Sequence, residues 1–419
     1  MPEIIIPKTA RPVKKTTSKN MQFLKSSNRA AVIRALALKK ASNRSELASC
    51  LNLTKMAISN IVASLLEESI LVETDFPLAD TSLHPSNGRR PRQLRISDWS
   101  INVICINIRR YAVSAMLMDI NGNTRSQSFT PLPEHADNYF LSKTLIDTVE
   151  KILAKIPDIS VIGIGISSIG PLDIYKKYLL NPPEFRKICN LNLGELLEKH
   201  FHLPVFLDND MNCSALAELY FGAGISHRDL VFLGFSTGVG AGIIMNEKIL
   251  HGFGGFAGEV GHISVNPFGP RCPCGQNGCV ELYTSGENVL KNVGMSSFAE
   301  LNKILNEEKP PRFVLNCIDE YVRVMHALLV ATANSYDPDI IILGDTDSAF
   351  VSRFIPELET YMNTHMLNHG YKHIRLILSA LGSSAWLYGA GCIVFQRIFS
   401  GELDLPQPGF SLNPENQAE

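Results

Sequence analysis

Between His262 and Cys279 the chain reads HISVNPFGPRCPCGQNGC, gathering one histidine and three cysteines into a stretch punctuated by glycine and proline. Pro267, Gly269, Pro273, Gly275 and Gly278 keep this segment in turns, so it cannot run on as a strand or a helix. One imidazole and three thiolates, from His262, Cys272, Cys274 and Cys279, make up the ligand set of a closed tetrahedral zinc site. Four protein ligands leave no open position, so the expected Zn2+ is structural. It staples a loop that carries Glu259 just upstream and Glu281 just downstream. The competing reading is four unligated buried residues, and the spacing weighs against it. Nine cysteines, an odd number, with no export signal at the N-terminus, also point to reduced thiols or metal ligands rather than a disulfide framework. The expected compartment is the cytoplasm. No apolar run reaches the ~18 residues that a membrane span requires.

The charge is split along the chain. Residues 1–97 hold 16 Lys and Arg against 7 Asp and Glu, whereas the whole chain has 39 against 41. A basic module is therefore joined to an acidic one, and a basic module suits a polyanionic partner. Residues 1–20 are polar, basic and proline-containing, and are expected to form a flexible arm. Val32, Ile33, Leu36 and Ala37 then recur at helical spacing. Ser42 or Asn43 can cap a short helix over RSELASCLN, LNLT makes a turn, and Thr54 caps KMAISNIVASLLEESI. In that last helix Ile58, Ile61, Val62, Leu65 and Leu66 form an apolar stripe, leaving Met56, Asn60, Ala63 and Ser64 on the other side.

Two short helices across a tight turn make a helix-turn-helix. Thr54, Lys55, Met56, Ser59 and Asn60 are its expected contacts to operator DNA in the major groove. The strands ILVETD and RQLRIS enclose a wing that holds Arg89, Arg90 and Arg92, suited to phosphate or minor-groove contact. The alternative is a three-helix bundle that binds protein, against which the basic charge and the wing arginines both count. Residues 21–97 are thus expected to be a winged helix-turn-helix.

Residues 98–400 alternate short strands with helices, the pattern of an α/β domain with two sheet-centred lobes. STGVGAG (Ser236–Gly242) follows a strand, and its backbone N–H groups could cradle an anion. Asp208, Asn209 and Asp210 end another strand, where open α/β sheets present ligand groups. Carboxylates mixed with an amide suit sugar hydroxyls, each both donor and acceptor. Capping of the following helix explains the same residues equally well. Residues 401–419 read as a loosely held C-terminal tail.

With these motifs in hand, the chain resembles the ROK family (repressors, open reading frames and kinases), and within it the winged-helix transcriptional repressors. The resemblance rests on AGEVGHISVNPFGPRCPCGQNGCVE, with GISSIGPLD, PVFLDNDMNCSALAE and STGVGAGII in order around it. It implies a two-lobed, actin-like (ribonuclease H-like) domain and a sugar or sugar-phosphate effector held by Asn209, Asp210, Glu259, His262 and Glu281. His262 would then bind zinc with one ring nitrogen and a sugar hydroxyl with the other. It also implies a protein partner in some members, and two-fold operator reading leads to the expectation of a homo-oligomer, dimer or tetramer. Two blocks depart from the family, one of them ILGDTD, which stands where a Gly-Gly pair would be expected. Where kinase members carry an Asp-Gly-x-Thr-like phosphate loop, this chain has INIRRYAVSAMLMD, with Asn107, Arg109 and Arg110 and no glycine. A non-enzymatic regulator is therefore expected, with an ATP-dependent sugar kinase bearing a DNA-binding domain as the alternative. Asp210, which corresponds to the general base of the kinases, is present.

Overall fold

Side-chain caps set the first helices in the computed structural model, which describes residues 17–74, 92–156, 159–183 and 185–405. After α1 (Thr17–Ala37), Asn43 Oδ1 accepts the N–H groups of Ser45 and Glu46 at 3.1 and 3.0 Å and starts α2 (Arg44–Leu51). Thr54 Oγ1 accepts the Ala57 N–H at 3.2 Å and starts α3 (Lys55–Glu67). Each cap satisfies helix N-terminal donors that have no intrahelical partner. Asn52, left-handed at φ 52°, ends α2, and the two helices meet at 120°. Val32, Ile33, Leu47, Ile58, Val62 and Leu65 form the shared core. The strands β1 (Leu71–Thr74) and β2 (Gln93–Ile96) pair antiparallel, Leu71 opposite Ile96. Arg89 and Arg90 lie outside the described residues. Of the arm expected over residues 1–20, Thr17–Asn20 belong instead to α1, which no proline beyond Pro12 interrupts, and residues 1–16 lie outside the described residues.

By contact, the chain divides into two compact units. One runs to Ile96 and includes Arg397–Leu405, and the other is Ser97–Gln396. The first part of the expected tail, residues 401–405, thus groups with the helix-turn-helix unit.

In the second unit the first lobe contains β3 (Asn102–Arg109), β4 (Ala112–Asp119), β5 (Thr124–Pro131), α4 (Asn138–Leu153) and β6 (Ile164–Ser168). It continues through a small sheet of β7 (Leu172–Asp173), β8 (Tyr178–Leu179) and β9 (Leu191–Asn192) to α5 (Leu193–Phe201), β10 (Val205–Asn209) and α6 (Asp210–Phe221). The main sheet has the order β10-β6-β3-β4-β5, with β3, β6 and β10 parallel. The second lobe begins with β11 (Leu230–Phe235), β12 (Val239–Met245) and β13 (Lys248–Ile249). After the cysteine loop come α7 (Glu281–Thr284), α8 (Gly286–Val293), α9 (Phe298–Leu305), α10 (Arg312–Tyr336) and β14 (Ile340–Gly344). Then follow α11 (Ser348–Val351), α12 (Ile355–His365) and β15 (Arg375–Leu378), while the final helix, α13 (Ala385–Phe399), returns to pack on β6 of the first lobe. The sheet order of the second lobe is β13-β12-β11-β14-β15, with β11, β14 and β15 parallel.

Seven of the eight residues of β3 are buried, as expected of a strand covered on both faces. On one face α13 packs so closely that a Cβ at Gly165 would lie 1.7 Å from the Ala390 carbonyl oxygen. Each lobe has its own apolar core. The carboxyl ends of the parallel strands from both sheets open onto one cleft, the place where such sheets present ligand groups.

Candidate functional site

The cleft is a cavity of about 750 Å³, and Asn209, Asp210, Glu259, His262 and Glu281 all line it. Asn209 ends β10 and Asp210 begins α6. Asn209 Oδ1 accepts the Met211 N–H at 2.9 Å, so it caps α6 and keeps its amide N–H2 to donate. Capping and ligand binding are therefore compatible in this residue. Asp210 is buried, and that burial raises its carboxyl to about 7; Asp345 and Glu259 add to the rise, while Arg109 and the Met211 N–H oppose it. Asp208 faces elsewhere. It accepts from Asn212 Nδ2 at 2.8 Å and pairs with His251 Nε2 at 2.7 Å, pinning the loop that leads to Glu259.

Glu259 and Glu281 are placed by close backbone approaches. Gly258, at φ +99°, accepts the Ala241 N–H at 2.8 Å, and a Cβ there would meet the Ala241 oxygen at 2.1 Å. Only glycine admits this crossing, which delivers Glu259 to the cleft. Glu259 faces the cavity, and its carboxyl is raised by desolvation and by Glu281 against an opposing pull from His262. Glu281 Oε2 accepts the Val239 N–H at 2.9 Å. The glycine turn read as an anion cradle thus already serves a carboxylate of the protein.

Arg109 was visible in the sequence only as a departure from the family loop, and its partner was missed. At the end of β3 it reaches across to the second lobe, where Nη2 and Nη1 donate to Asp345 Oδ2 and Oδ1 at 2.8 and 3.2 Å. Nη2 also donates to Ser236 Oγ at 3.0 Å, and the guanidinium lies 4.6 Å from the Trp386 ring centroid. Burial opposes its charge, but Asp345 outweighs that and raises its pKa. No local pattern could have announced a pair 236 residues apart.

On the rim, the ligand atoms of His262, Cys272, Cys274 and Cys279 lie within 4.8 Å of one another. Cys272 Sγ is 3.7 Å from His262 Nδ1, and Cys274 Sγ is 3.6 Å from Cys279 Sγ. Tetrahedral zinc, with Zn–S near 2.3 Å and Zn–N near 2.0 Å, requires ligand-to-ligand edges of about 3.5–3.8 Å. These two edges fall in or near that range, and the four ligand atoms lie close enough together that they could hold a metal ion. Burial and the neighbouring thiols push Cys279 up to about 12, so a cation beside it is what would make it a thiolate. Bridges Ser264 to Cys279 and Arg271 to Asn277 hold the loop together. With Nδ1 among the thiols, the other edge of the His262 ring is left for the cleft.

In the helix-turn-helix unit Thr54, Lys55, Met56 and Asn60 are exposed and Ser59 is half-buried. Met56 is 71% exposed, a large apolar side chain without cover on a helix otherwise well packed. Ser64, expected on the open face, instead accepts from Arg29 Nη1 at 2.8 Å and donates to Glu68 at 2.8 Å. Arg92 pairs with Glu73 at 3.0 Å at the base of the wing.

A helix-turn-helix unit followed by a two-lobed α/β cleft domain defines the class. The ROK family model matches residues 103–397, and the chain belongs to the ROK family. Over 400 residues it is 26% identical to the xylose repressor of Caldicellulosiruptor bescii, covering 91% of this chain and 98% of that protein. It is 25% identical over 400 residues to the DNA-binding transcriptional dual regulator NagC of Escherichia coli, covering 92% and 96%. Among solved structures, a ROK family transcriptional regulator described as a homologue of the E. coli MLC protein superposes with a TM-score of 0.73 at 22% identity, covering 90% of this chain and 98% of that one. The chain is therefore a homologue of ROK-family repressors, and no single described helix is long and apolar enough to cross a membrane.

Proposed function

We propose that this protein is a sugar-responsive transcriptional repressor of carbohydrate uptake or catabolism genes. It holds operator DNA as a homo-oligomer through α3 and the wing, and a sugar bound in the cleft releases it. Zn2+ held by His262, Cys272, Cys274 and Cys279 keeps the cleft rim in place. The observation that carries this reading is the Arg109–Asp345 pair. It occupies the end of β3, where the family resemblance puts the phosphate loop of a kinase, while the sugar-facing residues line the cleft.

The energetics set a condition. Turning a 99:1 population into 1:99 takes an affinity difference of about 5.5 kcal/mol between the two states. Hydrogen bonds contribute about 1 kcal/mol each net, so nearly all five cleft residues must contact the sugar in one state and lose it in the other. The test is fluorescence anisotropy on an operator fragment selected from random DNA, titrated with a panel of sugars. Glu259→Ala is expected to bind the fragment like the parent and to stay bound when sugar is added. Normal release in that variant would remove the cleft from the response.

A second reading, an ATP-dependent sugar kinase with a fused DNA-binding domain, is favoured by one observation. A carboxyl near 7 at Asp210 suits a general base. Mg-ATP-dependent phosphorylation across the same panel, lost in Asp210→Asn, would decide for it.

A further inference from the structure

The cleft offers three places where a phosphate group would ordinarily be received: a guanidinium, a glycine turn with inward N–H groups, and a helix N-terminus. In each, a donor is already taken by an acceptor of the protein. Arg109 is held bidentately by Asp345, bonded to Ser236 and covered on one face by Trp386. In the Ser236–Gly242 turn, Glu281 occupies the Val239 N–H and the Gly258 carbonyl occupies the Ala241 N–H. At the start of α6, Asn209 Oδ1 occupies the Met211 N–H. The other cation on the cavity wall, Arg110, is engaged as well. Against these two arginines stand Asp210, Glu259, Glu281 and Asp345. A dianionic group entering here would find these donors occupied and carboxylates on several sides, whereas a neutral polyol would find acceptors for its hydroxyl protons.

We propose that the effector of this cleft is an uncharged, unphosphorylated sugar, and that Asp345 is the residue that excludes phosphorylated ones by holding Arg109. The inference rests on the sugar-responsive reading and narrows its effector class. Asp345 is well placed for this role. It follows β14, its side chain is only 10% exposed, and its backbone is left-handed at φ 48°. Its carboxylate is thus set by the second lobe and meets the guanidinium without depending on a bound ligand.

The experiment is isothermal titration of the full-length, metal-loaded protein. The probes are xylose, glucose, mannose, N-acetylglucosamine and N-acetylmannosamine, each beside its 5- or 6-phosphate. The expected result is that at least one free sugar binds, and that its phosphate binds at least a hundredfold more weakly. Asp345→Asn keeps the shape and removes the charge. It is expected to narrow that ratio at least tenfold, and adding Arg109→Met should restore the wide ratio by removing the freed guanidinium.

A phosphate that binds the parent protein as well as or better than its free sugar overturns the proposal and leaves the sugar-responsive reading intact. If no compound of either kind binds, both fall. The comparison on the parent protein decides the ligand class even if the variants do not fold. An unchanged ratio in a folded Asp345→Asn would remove Asp345 from the role.

Discussion

At the scale of single residues, Asp210 gives the sharpest handle, because its carboxyl titrates near neutrality. Burial favours the protonated acid, so the folded protein binds this proton more tightly than the unfolded chain does. The contribution of this group to stability is therefore greatest below about pH 4 and declines as pH rises towards 7. Sugar binding runs the other way if the carboxylate is what accepts a sugar hydroxyl proton. Effector affinity is then expected to be about tenfold weaker at pH 6 than at pH 8. Calorimetry at the two pH values checks this, and Asp210→Asn should flatten the profile. A slope of equal size in that variant would assign the titration to another group. The residues legible in the sequence were those whose meaning is local. His262, Cys272, Cys274 and Cys279 declare themselves by spacing, and Asn209 and Asp210 by their place at a strand end. Arg109 needed the fold, since its meaning comes from an acid on the opposite lobe.

At the scale of elements, the starts of α2 and α3 were readable because caps are chemical and near in sequence: Asn43 and Thr54 each accept N–H groups of the turn they begin. The start of α1 was less readable, as it carries no acidic residue in its first turn and the basic, polar sequence resembles a linker. The cysteine loop has little regular structure, so on the zinc reading a bound ion would supply its order. Metal analysis should find one zinc per chain. Cys279→Ser, which removes the most enclosed thiol, is expected to lose that zinc and lower the melting temperature of the second unit. Sugar response should fall with it, as Glu259 and Glu281 lose their common support. Full response in metal-free protein would separate the loop from the cleft.

At the scale of the whole molecule, the proposed function gives two modules of opposite charge the separate tasks of touching DNA and sensing a small ligand, and the charge split is plain from the amino-acid counts alone. Contacts to phosphate and contacts to bases leave different signatures in solution. Arg89→Ala and Arg90→Ala should each weaken operator binding and reduce the slope of log K against log salt by about one. Asn60→Ala, on the exposed side of α3, should leave that slope nearly unchanged and relax the preferred sequence. Salt titrations on matched and mismatched fragments measure both. The reverse pattern would exchange the roles of wing and helix.

One imidazole stands between the two chemistries of the sensing module. His262 turns Nδ1 to the sulfurs and its opposite edge to the cavity, so whatever fixes the ring for one fixes it for the other. Oxidants that attack the thiols would unseat the ring from the far side. Under the proposed function, a cell short of zinc, or under peroxide stress, would then keep its genes shut while the nutrient was plentiful.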